Sequence, residues 1–407
     1  MKPSQYEIVI YGATSFVGQI ICQYLSEYRE EPAIRWAIAG RSESKLKALR
    51  DTLPGTQPDI LVADAEDEAA LRKLCESTSV IASTVGPYAL YGETLLRVCA
   101  ESGCDYCDLT GEVQWIRRMV DRYQATAEAS GARIVNCCGF DSIPSDIGVL
   151  YTQREHRARF QQPSTDIRMR VKAAKGGLSG GTFASLMNVM KEAANDPKLR
   201  KEMADPYSLC PGIASKTRQH NPGLAEFDKV SGSWTSPFIM AAINTRVVQR
   251  SNFLLGGIYG EGFRYQESMI MGRGFSGRLK ASAFGGGLAA FMMGAAIKPG
   301  RWVLEKLLPA PGEGPSPEEQ QSGFYDLRFF ACADDAVTLR TKVTGDRDPG
   351  YGSTAKMISQ AAICLARDIA PEHCAGGLWT PASAMGEKLL ARLESHAGLT
   401  FSTLEEG

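Results

Sequence analysis

The sequence predicts an α/β protein, a Rossmann-type doubly wound parallel sheet joined to a second, mixed α+β domain. Three observations predict it. A short apolar run, Tyr6-Glu7-Ile8-Val9-Ile10-Tyr11, breaks into the glycine-bounded loop Gly12-Ala13-Thr14-Ser15-Phe16-Val17-Gly18 and then into an amphipathic segment reaching Tyr28. Apolar strand-like runs and helix-period segments then alternate as far as Asn136. Beyond about residue 150 that rhythm stops, and strands with one buried face take over, as in 165–173, where Ile167, Met169 and Val171 alternate with polar residues.

The first loop sets the chemistry. A tight turn after a strand needs a residue without a side chain at Gly12, and Gly18 lets the following helix pack closely on the strand. A pyrophosphate then rests on the backbone N–H groups at the positive end of that helix. Ser15 stands where such loops usually carry their middle glycine. The second strand, 34–39, ends in Gly40-Arg41-Ser42, at the place where an NAD enzyme sets a carboxylate on the ribose 2′-hydroxyl. Here a guanidinium and a hydroxyl suit a 2′-phosphate instead, so the cofactor predicted is NADP(H), with Lys45 adding a second positive charge. The competing reading makes Arg41 and Lys45 solvated charges opening a surface helix. Asp64 closes the third strand, either beside an adenine amino group or as a cap for the next helix.

The remaining elements of the first domain, 1–150, follow in order: helices over 44–53 and 66–75, strands over 59–63 and 80–84, a helix over 93–102, a strand over 105–109, a helix over 113–130 and a strand over 133–136. Ligands of open parallel sheets lie beyond the carboxyl ends of the strands. Val85-Gly86-Pro87-Tyr88-Ala89-Leu90-Tyr91-Gly92 therefore meets the nicotinamide end of the cofactor, and Cys138-Gly139-Phe140-Asp141-Ser142-Ile143-Pro144 is the second loop expected to line the site. Pro144 suits the first turn of a new helix.

The second domain, 151–350, opens with the strand over 165–173. A glycine-rich loop, 176–182, leads to a helix over 183–194 and reads as a wall of the substrate cavity. Residues 195–236 read as an irregular excursion. A helix over 238–250 and a strand over 259–271 come next. The stretch 281–297 carries no charge and is rich in Ala and Gly, with basic residues at Arg278, Lys280, Lys298 and Arg301 on its flanks. Three readings stand for it: a buried core helix, a mobile segment resting on a membrane or covering a greasy ligand, or a membrane span at the lower limit of length. Residues 309–322 read as a linker, and 324–332 with 337–343 as a hairpin. In the last segment, 351–407, helices over 351–367 and 382–393 flank a turn at Trp379-Thr380-Pro381, and a strand over 399–404 closes the chain.

The totals restrict the partners. A formal net charge of -1 across 407 residues gives no overall attraction to nucleic acid. No charged-then-apolar leader opens the sequence, so a cytoplasmic protein is expected, with peripheral contact to the inner face of the membrane through 281–297, and a homodimer is the expected assembly. The 11 cysteines are scattered, as reduced thiols would be. Cys99, Cys104 and Cys107 carry the C-x4-C-x2-C spacing of a plant-type ferredoxin, but Cys99 falls in a helical period and 104–108 alternates as a strand, so no metal or cluster is expected. Only four histidines are present and none lies in these loops, which removes Ser-His-Asp hydrolysis and zinc-dependent dehydrogenation. Arg154, His156, Arg157 and Arg159 form a basic run that suits either a carrier protein's phosphate or a solvated helix end.

Together the loop 12–18, Ala39-Gly40-Arg41-Ser42, 84–92, Asp105-Tyr106-Cys107-Asp108-Leu109-Thr110-Gly111-Glu112 and 139–146 resemble the saccharopine dehydrogenase-like oxidoreductases, most of all their trans-acting enoyl reductase subfamily. The likeness continues through Ser179-Gly180-Gly181-Thr182, 350–354 and 377–381. It implies NADP-linked reduction of a carbon–carbon double bond in an apolar acyl or polyketide substrate, free or carrier-bound. That reaction needs hydride at the β carbon, a donor for the developing enolate oxygen and a proton for the α carbon. Tyr88, Tyr91, Asp141 and Ser142 are the candidates for these roles. Packing, turn-shaping and helix capping are their competing roles, and Glu112 is a further candidate to anchor substrate or the second domain.

Overall fold

The structure, a computed structural model, describes residues 4–405 apart from 56, 177–179, 215, 298–299, 303 and 305–313. The middle of the expected glycine-rich cavity wall, Lys298, and 309–313 of the expected linker lie outside the described residues.

The first sheet is built from β1 (Tyr6–Tyr11), β2 (Trp36–Gly40), β3 (Asp59–Val62), β4 (Thr78–Ser83), β5 (Asp105–Asp108) and β6 (Arg133–Val135). Its connections are helices α1 (Phe16–Glu27), α2 (Glu43–Thr52), α3 (Glu68–Ser77), α4 (Tyr88–Tyr91), α5 (Glu93–Ser102) and α6 (Val113–Ser130). All pairings are parallel, in the order β3-β2-β1-β4-β5-β6, the doubly wound arrangement expected from the sequence. Helices cover both faces, so Ile8, Val9, Ile10, Ala37, Ile38, Val80 and Ile81 are buried irrespective of which way they point.

From α7 (Ile143–Phe160) the chain enters a second seven-stranded sheet, ordered β14-β12-β11-β7-β10-β9-β8. Its members are β7 (Asp166–Lys175), β8 (Glu226–Asp228), β9 (Ser233–Pro237), β10 (Arg264–Gly272), β11 (Phe324–Ala333), β12 (Ala336–Gly345) and, at the chain's end, β14 (Leu399–Leu404). Only β7 and β10 run parallel. Helix α7 lies directly on β11. A Cβ at Gly148 would stand 2.4 Å from the Phe329 ring, so glycine is what allows the close approach.

Several expectations are corrected. The excursion over 195–236 holds α9 (Pro197–Ala204) besides β8 and β9, following α8 (Gly180–Asn195). Its start signal was present, since Asp196 accepts from Lys198 N at 2.8 Å and Leu199 N at 3.1 Å, with Pro197 in the first turn. After α10 (Ala241–Leu254) and α11 (Gly274–Ala296), the linker likewise contains α12 (Pro317–Ser322), opened by a capping box between Ser316 and Glu319. Next come α13 (Thr354–Arg367), β13 (Gly377–Trp379), α14 (Pro381–Ala384) and α15 (Gly386–His396). Residues 377–379, expected as part of a turn, form a strand that pairs in parallel with β6 and completes the first sheet as its seventh strand. Gly376 passes so close to α6 that a Cβ there would lie 2.1 Å from the Ala127 carbonyl oxygen.

The stretch 281–297 falls in α11, which packs on β9, β10 and α8 but is not a core helix. Phe275, Leu279 and Met293 are 81%, 61% and 72% exposed, and Phe284 and Ile297 are exposed too. Alternating small and large apolar residues all round leave no polar side to mark which face meets solvent. Among the described residues no helix is long and apolar enough to cross a membrane, which removes the spanning reading as well.

Candidate active site

At the carboxyl end of β1 the chain turns through Gly12 at φ +83, where a Cβ would sit 2.6 Å from Val85 Cγ2 and 2.7 Å from Thr84 Oγ1. A Cβ at Gly18 would lie 2.4 Å from the Gly12 carbonyl oxygen. Ser15 keeps φ at -68 and caps α1, accepting from Gly18 N at 3.0 Å. Its hydroxyl also meets Thr84 Oγ1 at 2.9 Å, while Thr84 donates to Gly12 O at 2.9 Å. The serine that replaces a glycine thus braces the loop from within. The backbone N–H groups of Thr14, Phe16 and Val17 have no protein partner among the described residues, and they stand at the positive end of α1.

Arg41 follows β2 directly and is exposed, with no ion pair or hydrogen bond among the described residues. Its charge and that of Asp64 both act on the buried Tyr11 hydroxyl, which places the two side chains on one side of the cleft. Ser42 caps α2, its Oγ 3.5 Å from Lys45 N and 3.2 Å from Ser44 Oγ, and Lys45 is exposed. Asp64 accepts from Glu66 N at 3.0 Å, so it shapes the turn, whereas the cap of α3 is Asp67.

The loop after β4, through Val85, Gly86 and Pro87, is held by a buried carboxylate. Glu112 Oε1 accepts from Tyr88 N at 2.8 Å and from Ser185 Oγ of α8 at 2.8 Å, and Oε2 accepts from Ala89 N at 3.0 Å. Glu112 therefore anchors the second domain to the nicotinamide loop, one of the two roles expected of it. Burial raises its pKa above the usual carboxylate range. The Tyr88 hydroxyl donates to Ser83 O at 2.9 Å and accepts from Leu109 N at 3.1 Å, inside the fold. That corrects the enolate-donor role expected for Tyr88: its phenol is committed to two strand ends. Tyr91 is 51% exposed and its hydroxyl makes no hydrogen bond among the described residues.

On the other loop, Ser142 is buried and donates to Asn244 Oδ1 at 3.1 Å, so it is a structural residue and not the catalytic one expected. Asn244 in turn donates to Ser145 Oγ at 3.1 Å and to Glu267 Oε2 at 2.9 Å, and Tyr265 donates to Glu267 Oε1 at 2.7 Å. This network, joining α7, α10 and β10, was invisible in the sequence because its members are separated by a hundred residues and carry no shared motif. Asp141 differs from every other buried acid. Burial pushes Asp108, Asp141, Asp146 and Glu267 up to about 7. Asp108, Asp146 and Glu267 accept hydrogen bonds from protein donors, whereas Asp141 has no partner among the described residues. It lies beside Gly111, where a Cβ would stand 3.5 Å from its Oδ2.

The chain is 35% identical over 421 aligned positions to a protein named trans-acting enoyl reductase from Mycobacterium tuberculosis (strain ATCC 25618 / H37Rv), covering 99% of each. It is 36% identical over 410 positions to one of the same name from Mycobacterium ulcerans (strain Agy99), covering 96% of each. The chain belongs to the trans-acting enoyl reductase family. Residues 8–135 match the family model described as the saccharopine dehydrogenase NADP binding domain. In fold it is similar to apo saccharopine dehydrogenase (L-Glu forming) from Saccharomyces cerevisiae, with a TM-score of 0.53 at 12% identity over 98% of this chain and 100% of that one.

Membership makes this protein an NADP-dependent oxidoreductase. The residues fit the cofactor: a loop that added Cβ atoms would fill, three free amides at a helix start, and an unpaired guanidinium after β2. The basic run is otherwise employed. Arg154 pairs with Glu155 and Glu387, His156 is buried between Gln162 O and Thr338 Oγ1, and Arg157 donates to Ile258 O, so no cluster faces a carrier phosphate. For Tyr88→Phe the expected result is a loss of about 1–2 kcal/mol in urea unfolding with turnover unchanged. Lost turnover at unchanged stability would return the phenol to the chemistry.

Proposed function

We propose that the protein is an NADPH-dependent enoyl reductase acting on an apolar acyl or polyketide thioester, and that Asp141 is its proton donor. The observation that carries this reading is the unpartnered Asp141 carboxyl, held near neutral pH on a loop at the carboxyl ends of the strands. The names of the relatives support the reaction class. Bound NADPH supplies the hydride for the β carbon.

The protein's own groups do the rest. Thr14, Phe16 and Val17 amides hold the pyrophosphate, and Arg41, with Ser42 and Lys45 beside it, faces the 2′-phosphate. Glu112 fixes the loop 85–89 against α8, so that the reacting carbon and the acid keep one geometry. Asp141, protonated below about pH 7, delivers a proton at the α carbon. Tyr91 is the phenol left free to donate to the enolate oxygen. The carbon–nitrogen alternative lacks an arginine-rich loop for several substrate carboxylates.

Steady oxidation of NADPH, followed by absorbance, with a 2-enoyl thioester such as a medium-chain enoyl-CoA tests the proposal, and mass spectrometry of the saturated product completes it. Tight NADPH binding with no turnover across chain lengths would instead favour a non-catalytic role at a lipid surface. One observation speaks for contact with such a surface, the exposed apolar side of α11 carrying Phe275, Leu279 and Met293 beside Arg278 and Lys280. In co-sedimentation with vesicles containing anionic phospholipid, Phe275→Ser/Met293→Ser is expected to reduce binding about tenfold or more. Equal binding of variant and parent would remove α11 as the contact.

A further inference from the structure

Three thiols converge at the end of the first sheet opposite the cofactor cleft. Cys75 lies on the last turn of α3, Cys99 on α5, and Cys104 directly before β5. Helix α3 runs into β4 and Cys104 into β5, so the trio borders the amino ends of the strands, whereas Gly12, Arg41, Val85 and Asp141 follow their carboxyl ends. Their sulfurs all lie within 4.8 Å of one another, with Cys75 Sγ 3.6 Å from Cys99 Sγ. All three are buried.

The ferredoxin-like spacing in the sequence had grouped the wrong residues. Cys107 belongs to the core on one face of the sheet, and Cys99 and Cys104 to the core on the other. Cys75, on a different helix and marked by no spacing, takes the third position.

We propose that Cys75, Cys99 and Cys104 form a three-coordinate site for a soft monovalent cation of the Cu(I) class. Three sulfurs set about 2.3 Å from one ion in a plane lie about 4.0 Å apart, within a few tenths of an ångström of the closest pair here. Thiolates select soft ions such as Cu(I), Zn(II) and those of iron–sulfur clusters. Structural zinc takes four ligands, and among the described residues no histidine or carboxylate joins the trio as a fourth. Coordination forms three metal–sulfur bonds, and the S–H protons they displace leave to the buffer. The ion would clamp α3 to α5 and to the start of β5. Packed neutral thiols, serving as small apolar side chains, are the arrangement it competes with.

The test uses the full-length protein, reduced and kept anaerobic, titrated with Cu(I) supplied as its bicinchoninate complex. One equivalent should pass from the chelator to the protein, with a near-ultraviolet thiolate-to-copper band. Cys75→Ala and Cys99→Ala should each lose that equivalent, while Cys107→Ala retains it, and NADPH affinity reports that each variant is folded. Should the variants fail to fold, pulse alkylation of the parent under partial denaturation decides the matter by mass spectrometry. Copper is then expected to protect Cys75, Cys99 and Cys104 and to leave Cys107 and Cys138 as reactive as before. No transfer to the parent, protection of a different set, or uptake of Zn(II) but not Cu(I) would overturn the assignment.

Discussion

Arg41→Ala is expected to weaken NADPH binding roughly thirtyfold and to leave NADH within about twofold. A charge-assisted hydrogen bond contributes about 2 kcal/mol, and a guanidinium matches the planar face of a phosphate with two donors at once. Only NADPH carries the group that Arg41 would meet. The side chain has no protein partner to release, so its removal leaves nothing unsatisfied in the fold and the effect reads directly as lost ligand contact. Calorimetric titration with both reduced cofactors checks it. Equal losses would show that the guanidinium does not touch the 2′-phosphate, and the burden would pass to Lys45.

The second large effect is at Asp141. Asparagine keeps the shape of the side chain and removes the transferable proton, so Asp141→Asn should lower kcat about a hundredfold or more with NADPH affinity unchanged. The pH dependence follows from its carboxyl lying near 7 in place of the usual carboxylate value. A general acid works while protonated, so kcat in the parent falls as pH rises through about 7, and the variant loses that fall. The same shift acts on stability with a definite sign. Because the folded state holds this proton more tightly than the unfolded chain, stability declines as pH rises from about 4 to about 7. Above that range the parent carries an unpaired buried charge and the variant does not. Asp141→Asn should therefore melt higher than the parent at pH 8 and alongside it at pH 4. Loss of activity with a gain of stability is the behaviour of a site residue, whereas a capping or packing residue loses both.

How much of this was legible in the sequence follows from what kind of signal each part emits. The first sheet was readable because parallel strands buried on both faces write unbroken apolar runs, as in 8–10 and 80–82, and because each helix between them repeats at 3.6 residues. The cofactor loop was readable for the same reason, and Ser15 fits by holding negative φ while serving as the cap. Short elements with little periodicity were not. Residues 377–379 are a strand only because β6 offers an edge, and 197–204 is a helix announced by Asp196-Pro197 and hidden by surrounding charge. Side-chain commitments were beyond reach. Tyr88 and Ser142 have the right chemistry in the right loops, yet their hydroxyls are claimed by Ser83, Leu109 and Asn244. Glu267 and Asn244 meet the loop from far along the chain, and no local pattern reports such a meeting.

The placement of β13 and β14 has a bearing on how the polypeptide reaches this state during synthesis. Residues 377–379 form the outer strand of the cofactor sheet, α13 packs against α1, β1, β4 and β5, and 399–404 close the far edge of the other sheet. Neither half of the molecule is finished until the final hundred residues have left the ribosome. A fragment ending at residue 150 would present the apolar ground under α13 to solvent, so it should precipitate or bind chaperones instead of yielding a small nucleotide-binding protein. Adding 351–407 as a separate peptide should restore its solubility.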